Sequence, residues 1–158
     1  MKQSAGLLIY RFRENRLEVF LVHSGGPFWK NKDLAAWSVP KGEFEEDEDP
    51  LQAAIREFRE ETGFEIPEGK PLALKPVKQS AHKTIHVWCL EGDYDPSAVC
   101  SNTFELEWPP QSGNMLTLPE VDKAEWFDLN TARVKLHKGQ VPVIDQLSEL
   151  VSTPGMGL

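Results

Sequence analysis

Three features of the sequence predict a domain of the α/β class. Residues 5–10 and 17–22 are runs of strong β-forming side chains, joined by the short polar segment RENR. An amphipathic helix follows from residue 50, and further strand-like and helix-like segments come after it. With 158 residues and 40% hydrophobic side chains, the chain is long enough to bury one core. Because no repeat or linker divides it, we expect a single domain over residues 1–151 and a flexible tail over 152–158.

The first part of the chain is predicted to contain a β-hairpin and two loops. The short polar spacer between the first two runs favours antiparallel pairing of two strands. Residues 23–37 are rich in Gly, aromatic residues and Lys, and we expect a loop there. Residues 38–40 could add a short strand that ends at Pro40. The acidic run from Glu43 to Asp49 is polar and has no periodicity, which predicts a second loop.

A helix is predicted to start at Pro50 and to end at Gly63. Asp49 is a favourable N-capping residue, and proline is favoured at the first helical position. Glycine readily adopts the left-handed conformation that ends many helices. Four apolar residues recur at the spacing of one buried helix face, namely Leu51, Ala54, Ile55 and Phe58. This face is expected to pack on the core.

The rest of the chain is predicted to contain three more strands and two helical segments. The strand predictions rest on clusters of β-branched and aromatic residues, and the helix predictions on capping residues and apolar spacing. In chain order we expect strands over 72–77 and 84–90, an irregular stretch over 91–119, a strand over 124–129, a helix from Asn130 or Thr131 to about Lys138 ended by Gly139, and a helical segment within 141–151.

Composition argues against several classes of function. The formal net charge of −8 opposes binding to a nucleic-acid backbone, so no stable nucleic-acid partner is expected. Cys89 and Cys100 form neither a disulfide framework nor a zinc motif, and we expect free thiols. The apolar run near the N-terminus is too short for a signal peptide, and no segment is long enough to span a membrane. We therefore expect a cytoplasmic protein without a membrane partner.

Glu57, Glu60 and Glu61 are expected to lie close together on the predicted helix. At about 100° per residue, the three positions form one patch beside the apolar face. One interpretation is a solvated charged face with Arg–Glu pairs at helical spacing. The other is a set of oxygen ligands for Mg²⁺ or Mn²⁺, since such ions bind a few carboxylates plus substrate phosphates. Bound metal ions would also offset the repulsion between the carboxylates.

The residues around this patch favour metal ligation. They follow the pattern G-x5-E-x7-R-E-U-x-E-E-x-G-U, in which U is a bulky apolar residue. Its positions are Gly42, Glu48, Arg56, Glu57, Phe58, Glu60, Glu61, Gly63 and Phe64. This pattern is the Nudix box, and the sequence resembles the Nudix hydrolases over roughly residues 5–150, with the specific match in the box. The resemblance implies an α/β/α sandwich with a mixed β-sheet and a loop–helix–loop catalytic motif.

The resemblance also implies roles for individual residues. Glu57, Glu60 and Glu61 would ligate one to three Mg²⁺ or Mn²⁺ ions, together with the backbone carbonyl of Gly42. Arg56 would orient Glu57 through an ion pair. Glu57 could also act as the general base that accepts a proton from the attacking water.

Other acidic residues are candidates for supporting roles. By the same resemblance, Glu48 would hold the loop or bind an outer metal ion. Members of the family often add a carboxylate from a loop ahead of a late strand. Glu120 occupies that position, either as a ligand or base or as a loop residue in solvent. Glu105 and Glu107 compete with it, although their alternation in FELEW also fits the outer face of a strand.

The residues before the box carry information about the substrate. Pro40, Lys41 and Gly42 resemble the corresponding residues of the asymmetrical dinucleoside-tetraphosphate hydrolases and the diphosphoinositol polyphosphate hydrolases. Lys41 would then contact substrate phosphates, and His82 and Lys83 are further candidates for phosphate binding. The net charge of −8 counts against an inositol polyphosphate, which would need a strongly basic pocket.

Taken together, these features predict a Mg²⁺- or Mn²⁺-dependent enzyme that hydrolyses a phosphoanhydride bond. The expected substrate is a nucleoside diphosphate linked to another moiety, with a dinucleoside polyphosphate as the leading candidate. One alternative is a sanitising pyrophosphohydrolase for modified or oxidised nucleoside triphosphates. Another is a non-catalytic module that binds nucleotides or RNA ends. In the 23–37 loop, Phe28 or Trp29 could stack on a base or cover the edge of the core.

Overall fold

The computed structural model describes residues 2–151. Its strands are β1 (Lys2–Arg13), β2 (Arg16–Ser24), β3 (Trp37–Ser38), β4 (Lys41–Glu43), β5 (Leu72–Ala73), β6 (Val77–Ser80), β7 (Lys83–Glu91), β8 (Thr103–Glu107), β9 (Met115–Pro119) and β10 (Val121–Asp128). Its α-helices are α1 (Pro50–Thr62), α2 (Leu129–Lys135) and α3 (Pro142–Leu150), and 3-10 turns lie at Pro96–Ala98 and Lys138–Gln140.

Most of the strands form one mixed sheet. The main order is β10-β2-β1-β7-β5, with β3 beside β2, β4 beside β1 and β6 beside β7. The central pair, β1 and β7, is parallel and runs from Lys2 opposite Lys83 to Tyr10 opposite Glu91. The other pairs in this sheet are antiparallel. The mixed sheet predicted from the family resemblance is therefore confirmed.

Helices cover both faces of this sheet. Successive side chains of a strand point to opposite faces, so Leu7 packs in the same cluster as Phe58 of α1. Leu8, the next residue, packs in the other cluster with Ile144 of α3 and Ala132 of α2. Because both faces are covered, the middle of β1 is a continuous apolar run. The predicted α/β/α sandwich is confirmed.

The N-terminal hairpin is confirmed. Strands β1 and β2 pair with Tyr10 opposite Val19 and are joined through Glu14 and Asn15. These two residues have positive φ angles of 53° and 64°. Two successive residues in this conformation give the tight turn whose twist matches that of the flanking strands.

The predicted helix also forms with the expected ends. The side chain of Asp49 accepts a hydrogen bond from the amide of Gln52 at 3.0 Å, and Pro50 begins the helix. Gly63 has a φ of 77°, and its amide donates to the carbonyl of Arg59 at 2.8 Å. The apolar face is only partly as predicted, since Leu51 and Ile55 are half-buried. The residues of α1 that are fully buried are Ala53, Ala54, Phe58 and Thr62.

Strand β4 differs from the loop predicted from Glu43 onward. It covers Lys41–Glu43 and pairs with β1, so that Gly42 lies opposite Ala5. Polar side chains do not prevent pairing here, because backbone groups alone make the ladder. The predicted strand over 72–77 is likewise replaced by two shorter strands, β5 and β6.

Two predictions for the second half are wrong. The stretch 91–119, expected to be irregular, contains the hairpin β8–β9, whose side chains are exposed or half-buried and belong to neither core cluster. Helix α2 is capped by Asp128, which accepts from the amide of Thr131 at 2.7 Å, and it ends at Lys135 rather than near Lys138. An aspartate just before the helix is a better cap than a residue inside it.

The proposed tail over residues 152–158 lies outside the described residues, so the boundary of the domain stays a prediction. In the part of the chain that the structure describes, no helix is long and apolar enough to cross a membrane.

Candidate active site

The site begins where Gly42 of β4 meets Glu57 of α1. A methyl group built on Gly42 would lie 2.1 Å from the carboxyl carbon of Glu57. The carboxylate therefore packs directly on the backbone of residue 42, and any larger residue there would displace it. Pairing of β4 with β1 fixes this backbone in the sheet. The close packing of Glu57 thus accounts for the glycine at this position of the box.

Arg56 links several acidic residues of the box. Its Nη1 lies 2.5 Å from Oε2 of Glu48, and its Nη2 lies 3.2 Å from Oε1 of Glu57. Its Nε is 3.8 Å from Oε1 of Glu60. A guanidinium has five donors in a fixed plane, so one arginine can hold several carboxylates at defined positions. The predicted ion pair between Arg56 and Glu57 is present. Glu48 also accepts from the amide of Glu45 at 3.3 Å and so holds the acidic loop.

Glu61 lies beside Lys41. The backbone amide of Lys41 donates to Oε1 of Glu61 at 3.0 Å. Burial raises the pKa of Glu61 to about 8, and the negative charges of Glu120 and Glu57 add to this effect. The hydrogen bond and the charge of Lys41 act in the opposite direction. Burial also lowers the pKa of the Lys41 ammonium, and Lys83 adds to the lowering while Glu61 opposes it.

Backbone contacts bring Glu120 close to the helix glutamates. Its amide donates to the carbonyl of Asn102 at 2.8 Å, and the amide of Asn102 donates to the carbonyl of Glu60 at 2.7 Å. On the other side, the amide of Gly25 donates to the carbonyl of Glu120 at 2.9 Å. A methyl group on Gly25 would lie 2.1 Å from the carbonyl oxygen of Pro119, so this approach requires glycine. Glu120 is thus held on a fixed loop between β9 and β10.

The acidic side chains of α1 and of the late loop raise one another's pKa values. Burial raises the pKa of Glu57, Glu60 and Glu120 raise it further, and Arg56 opposes the shift. The pKa of Glu120 is likewise raised by burial and then by Glu60. The carboxylates on α1 and on the late loop therefore interact, as expected for residues that share one site.

A cavity of about 170 Å³ opens beside these residues. Its lining joins charged, polar and aromatic side chains from distant parts of the chain, among them Trp29, Lys41, Glu61, Gln79, Glu120, His137 and Gln140. A more open groove of about 620 Å³ lies between the N-terminal end of β1 and the acidic loop over 43–47. None of the helix glutamates lines that groove, so we assign the candidate active site to the smaller cavity.

The donor atoms suit a hard divalent cation. Among residues 2–151, no three His, Cys, Asp or Glu side chains already stand in a metal-binding arrangement. Glu57 is paired with Arg56, and Glu61 accepts from the amide of Lys41. Carboxylate oxygens are nevertheless the ligands that Mg²⁺ and Mn²⁺ prefer, and Gly42 offers its backbone directly beside Glu57. The residues present therefore fit such an ion once these side chains reorient.

The remaining residues predicted for the site lie in different places. Lys83 is exposed at the start of β7, yet its charge acts on Lys41. His82 is exposed in the turn before β7 and does not line the cavity. Glu105 and Glu107 lie on the exposed positions of β8, as the alternation in the sequence suggests.

Two cavity residues, His137 and Gln140, are not identified by sequence analysis. They follow helix α2 in the segment LHKGQ, far along the chain from the box. No periodic pattern or motif singles them out, and contacts of their segment with β3 and β6 bring them to Lys41.

The family model for the NUDIX domain matches residues 2–147 of the chain. The chain therefore belongs to the Nudix family, as the box predicts. The expected enzyme class, a Nudix hydrolase, is confirmed at the level of the family.

Individual relatives are more distant. The mRNA-decapping enzyme subunit 2 of Saccharomyces cerevisiae is 25% identical over 130 residues, which is 82% of this chain and 11% of that protein. The chain thus spans about a tenth of the length of this curated relative. The m7GpppN-mRNA hydrolase of the same yeast species shows the same identity and coverage.

Solved structures share the fold. The Caenorhabditis elegans Ap4A hydrolase in a binary complex aligns with a TM-score of 0.61 and 21% identity, over 95% of this chain and 97% of that one. The NUDIX domain of Shewanella oneidensis NrtR with ADP ribose also has a TM-score of 0.61, at 19% identity, over 94% of this chain and 86% of that one. At these identities the structural similarity shows a shared fold only.

Proposed function

We propose that this protein hydrolyses a phosphoanhydride bond in a nucleoside diphosphate linked to another moiety, with a dinucleoside polyphosphate as substrate. One observation carries the proposal: the cavity beside the box combines Lys41 with Glu61 and Glu120, within reach of the Arg56–Glu57 pair. A polyphosphate is an anion, and its hydrolysis requires both positive charge and a base. Both kinds of group are available here.

The metal in this proposal is Mg²⁺ or Mn²⁺. Glu57, Glu60, Glu61 and the backbone of Gly42 would hold it, because they supply hard oxygen atoms and Glu61 lines the cavity. When bound, such an ion neutralises phosphate oxygens and lowers the pKa of bound water.

The protein's own side chains have distinct tasks in this scheme. Arg56 holds Glu48 and Glu57 on either side of its guanidinium and so limits their rotation. Glu57 and Glu120 both have raised pKa values, which suits a carboxylate that accepts a proton from water. Lys41 lies at the cavity wall, where its ammonium can contact a phosphate oxygen.

The loop over 23–37 supplies aromatic side chains at the same cavity. Trp29 lines it, and the neighbouring Phe28 is 62% exposed. The ammonium of Lys32 lies 3.5 Å from the ring centroid of Phe28. We propose that a base of the substrate stacks on these rings, an interaction worth about 1–3 kcal/mol per base in other nucleotide-binding proteins.

Two of the similar proteins support the choice of substrate. The Caenorhabditis elegans structure is that of an Ap4A hydrolase, and the yeast relative is an m7GpppN-mRNA hydrolase. Within the present chain, Pro40, Lys41 and Gly42 resemble the residues of the dinucleoside-tetraphosphate hydrolases at this position, and Lys41 supplies a positive charge.

The proposal is tested with a panel of nucleotides in the presence of Mg²⁺ or of EDTA, with identification of the products. The panel contains diadenosine tetraphosphate, ADP ribose, an oxidised nucleoside triphosphate and a capped dinucleotide. We expect metal-dependent cleavage, with the highest kcat/KM for diadenosine tetraphosphate. A higher value for the oxidised triphosphate would assign the chain to nucleotide sanitation. Binding by calorimetry without turnover of any compound would contradict an enzymatic function.

A further inference from the structure

His137 is held in one orientation at the wall of the cavity. Its backbone amide donates to the carbonyl of Trp37 at 2.8 Å, which ties it to the end of β3. Its Nδ1 accepts a hydrogen bond from the amide of Gly139 at 3.1 Å. The ring is half-buried and lines the cavity together with Lys41.

The contact with Gly139 fixes the tautomer of the ring. A ring nitrogen that accepts from an amide carries no proton, so the proton of the neutral imidazole is on Nε2. Within residues 2–151, no protein group forms a hydrogen bond with Nε2 of His137. The ring therefore has a spare N–H donor at a cavity that also contains Lys41 and Glu61.

Neighbouring charges keep this donor neutral. Burial lowers the pKa of His137 below its usual range, and the ammonium groups of Lys41 and Lys83 lower it further. His137 and Lys41 line the cavity together with Glu61 and Glu120, and the charge of Lys83 also acts on both His137 and Lys41. An anionic oxygen is the acceptor that a neutral N–H donor beside an ammonium group favours.

Buried polar contacts hold the segment around His137 rigidly. The side chain of Gln140 is fully buried, accepts from the amide of Val39 at 3.0 Å and donates to Oγ of Ser38 at 3.0 Å. A methyl group on Gly139 would lie 2.0 Å from the carbonyl oxygen of Gln79, so the turn is packed tightly on β6. This rigidity preorganises the imidazole for a ligand.

We propose that His137 is a substrate-binding residue that donates its Nε2–H to a phosphate oxygen of the nucleotide, beside the ammonium group of Lys41. The assignment rests on the proposed hydrolysis of a polyphosphate. It explains why a polar ring with one free nitrogen is fixed at this place in the cavity.

Two substitutions separate the two nitrogens of the ring. In His137→Asn the side-chain oxygen can replace Nδ1 and cap the turn, as asparagine does at helix starts, but the donor at Nε2 is lost. In His137→Gln the amide nitrogen can take the place of Nε2, but the cap is lost. Both variants are assayed in the full chain with Mg²⁺ and the best substrate of the nucleotide panel, and their melting temperatures are measured.

The proposal predicts that His137→Asn is the more impaired variant in KM, and that His137→Gln is the more impaired variant in melting temperature. His137→Asn should raise KM about tenfold with kcat within about threefold of wild type, since the lost contact stabilises ground state and transition state alike. It should melt close to the wild-type temperature. His137→Gln should melt lower and keep KM within about threefold.

Other outcomes overturn the assignment. A KM that rises in His137→Gln and not in His137→Asn would leave the residue only a capping role. An unchanged KM in both variants, or an equal rise in both, would exclude Nε2 as the substrate contact. If the wild-type chain cleaves no nucleotide, the proposed hydrolysis itself is refuted. The wild-type control distinguishes that result from a failure of the role proposed for His137.

Discussion

Binding of a divalent metal is expected to displace a proton from Glu61. In the metal-free protein the pKa of Glu61 is raised to about 8, with burial as the main cause. At pH 7 such a carboxyl group is about 90% protonated, whereas a metal ligand must be ionised. Metal affinity at the box should therefore increase as the pH rises toward about 8.

The same shift makes the stability of the metal-free protein depend on pH. The folded-state pKa is raised above its ordinary 4.5, so Glu61 favours the folded state most at low pH. This contribution is fully present below 4.5 and is lost as the pH rises through about 8. Full linkage would amount to about 5 kcal/mol, and partial exposure of Glu61 to water reduces it to on the order of 2 kcal/mol. For a domain of this size, about 2 kcal/mol corresponds to roughly 4–8 °C in melting temperature.

Two measurements on wild type and Glu61→Gln test this linkage. Calorimetric titration with Mn²⁺ at pH 7, in buffers of different ionisation enthalpy, gives the number of protons released. Wild type should release about 0.9 proton more than the variant at pH 7, and about 0.1 more at pH 9. The melting temperature of the metal-free wild type should fall between pH 5 and pH 9, and that of the variant should fall less. Equal proton release in both proteins would refute the role of Glu61 in this linkage.

Two glycine substitutions should impair activity without contacting the substrate. Gly42→Ala places a methyl group 2.1 Å from the carboxyl carbon of Glu57, and displacement of that carboxylate should lower kcat by about 100-fold. Circular dichroism should show an intact fold, and wild-type turnover would contradict the packing described for this pair. Gly25→Ala places a methyl group 2.1 Å from the carbonyl oxygen of Pro119 and should displace Glu120, lowering kcat/KM by roughly tenfold or more. Wild-type kinetics in this variant would exclude Glu120 from the reaction.

Local sequence rules account for the parts of the fold that depend on neighbouring residues. The N-terminal hairpin and the ends of α1 follow from turn and capping chemistry that acts within a few residues. The ion pair of Arg56 with Glu57 follows from the box, which is contiguous in sequence. Each of these features forms as predicted, because each is determined by contacts over a short span of chain.

The remaining features depend on contacts between distant segments. Strand β4 forms because the edge of β1 is free to pair with it at Gly42. The acidic sequence around β4 contains no signal that predicts pairing with β1. The hairpin β8–β9 has no fully buried residue, so its alternating residues in FELEW alone do not distinguish a strand from an exposed irregular segment. His137 is brought to Lys41 by contacts with two distant strands: its amide donates to Trp37 of β3, and Gly139 packs against the backbone of β6. The box could therefore be predicted from sequence, whereas the place of His137 and Gln140 in the cavity could not.

We propose that the glutamates of α1 hold a divalent metal for hydrolysis of a polyphosphate. The decisive measurement is the rate of diadenosine tetraphosphate cleavage as a function of Mg²⁺ concentration, for wild type and for Glu57→Gln. We expect no cleavage in EDTA, a saturable increase with Mg²⁺ in wild type, and a loss of at least about 100-fold in the variant at saturating Mg²⁺. Cleavage that persists in EDTA, or a variant as active as wild type, would contradict this proposal.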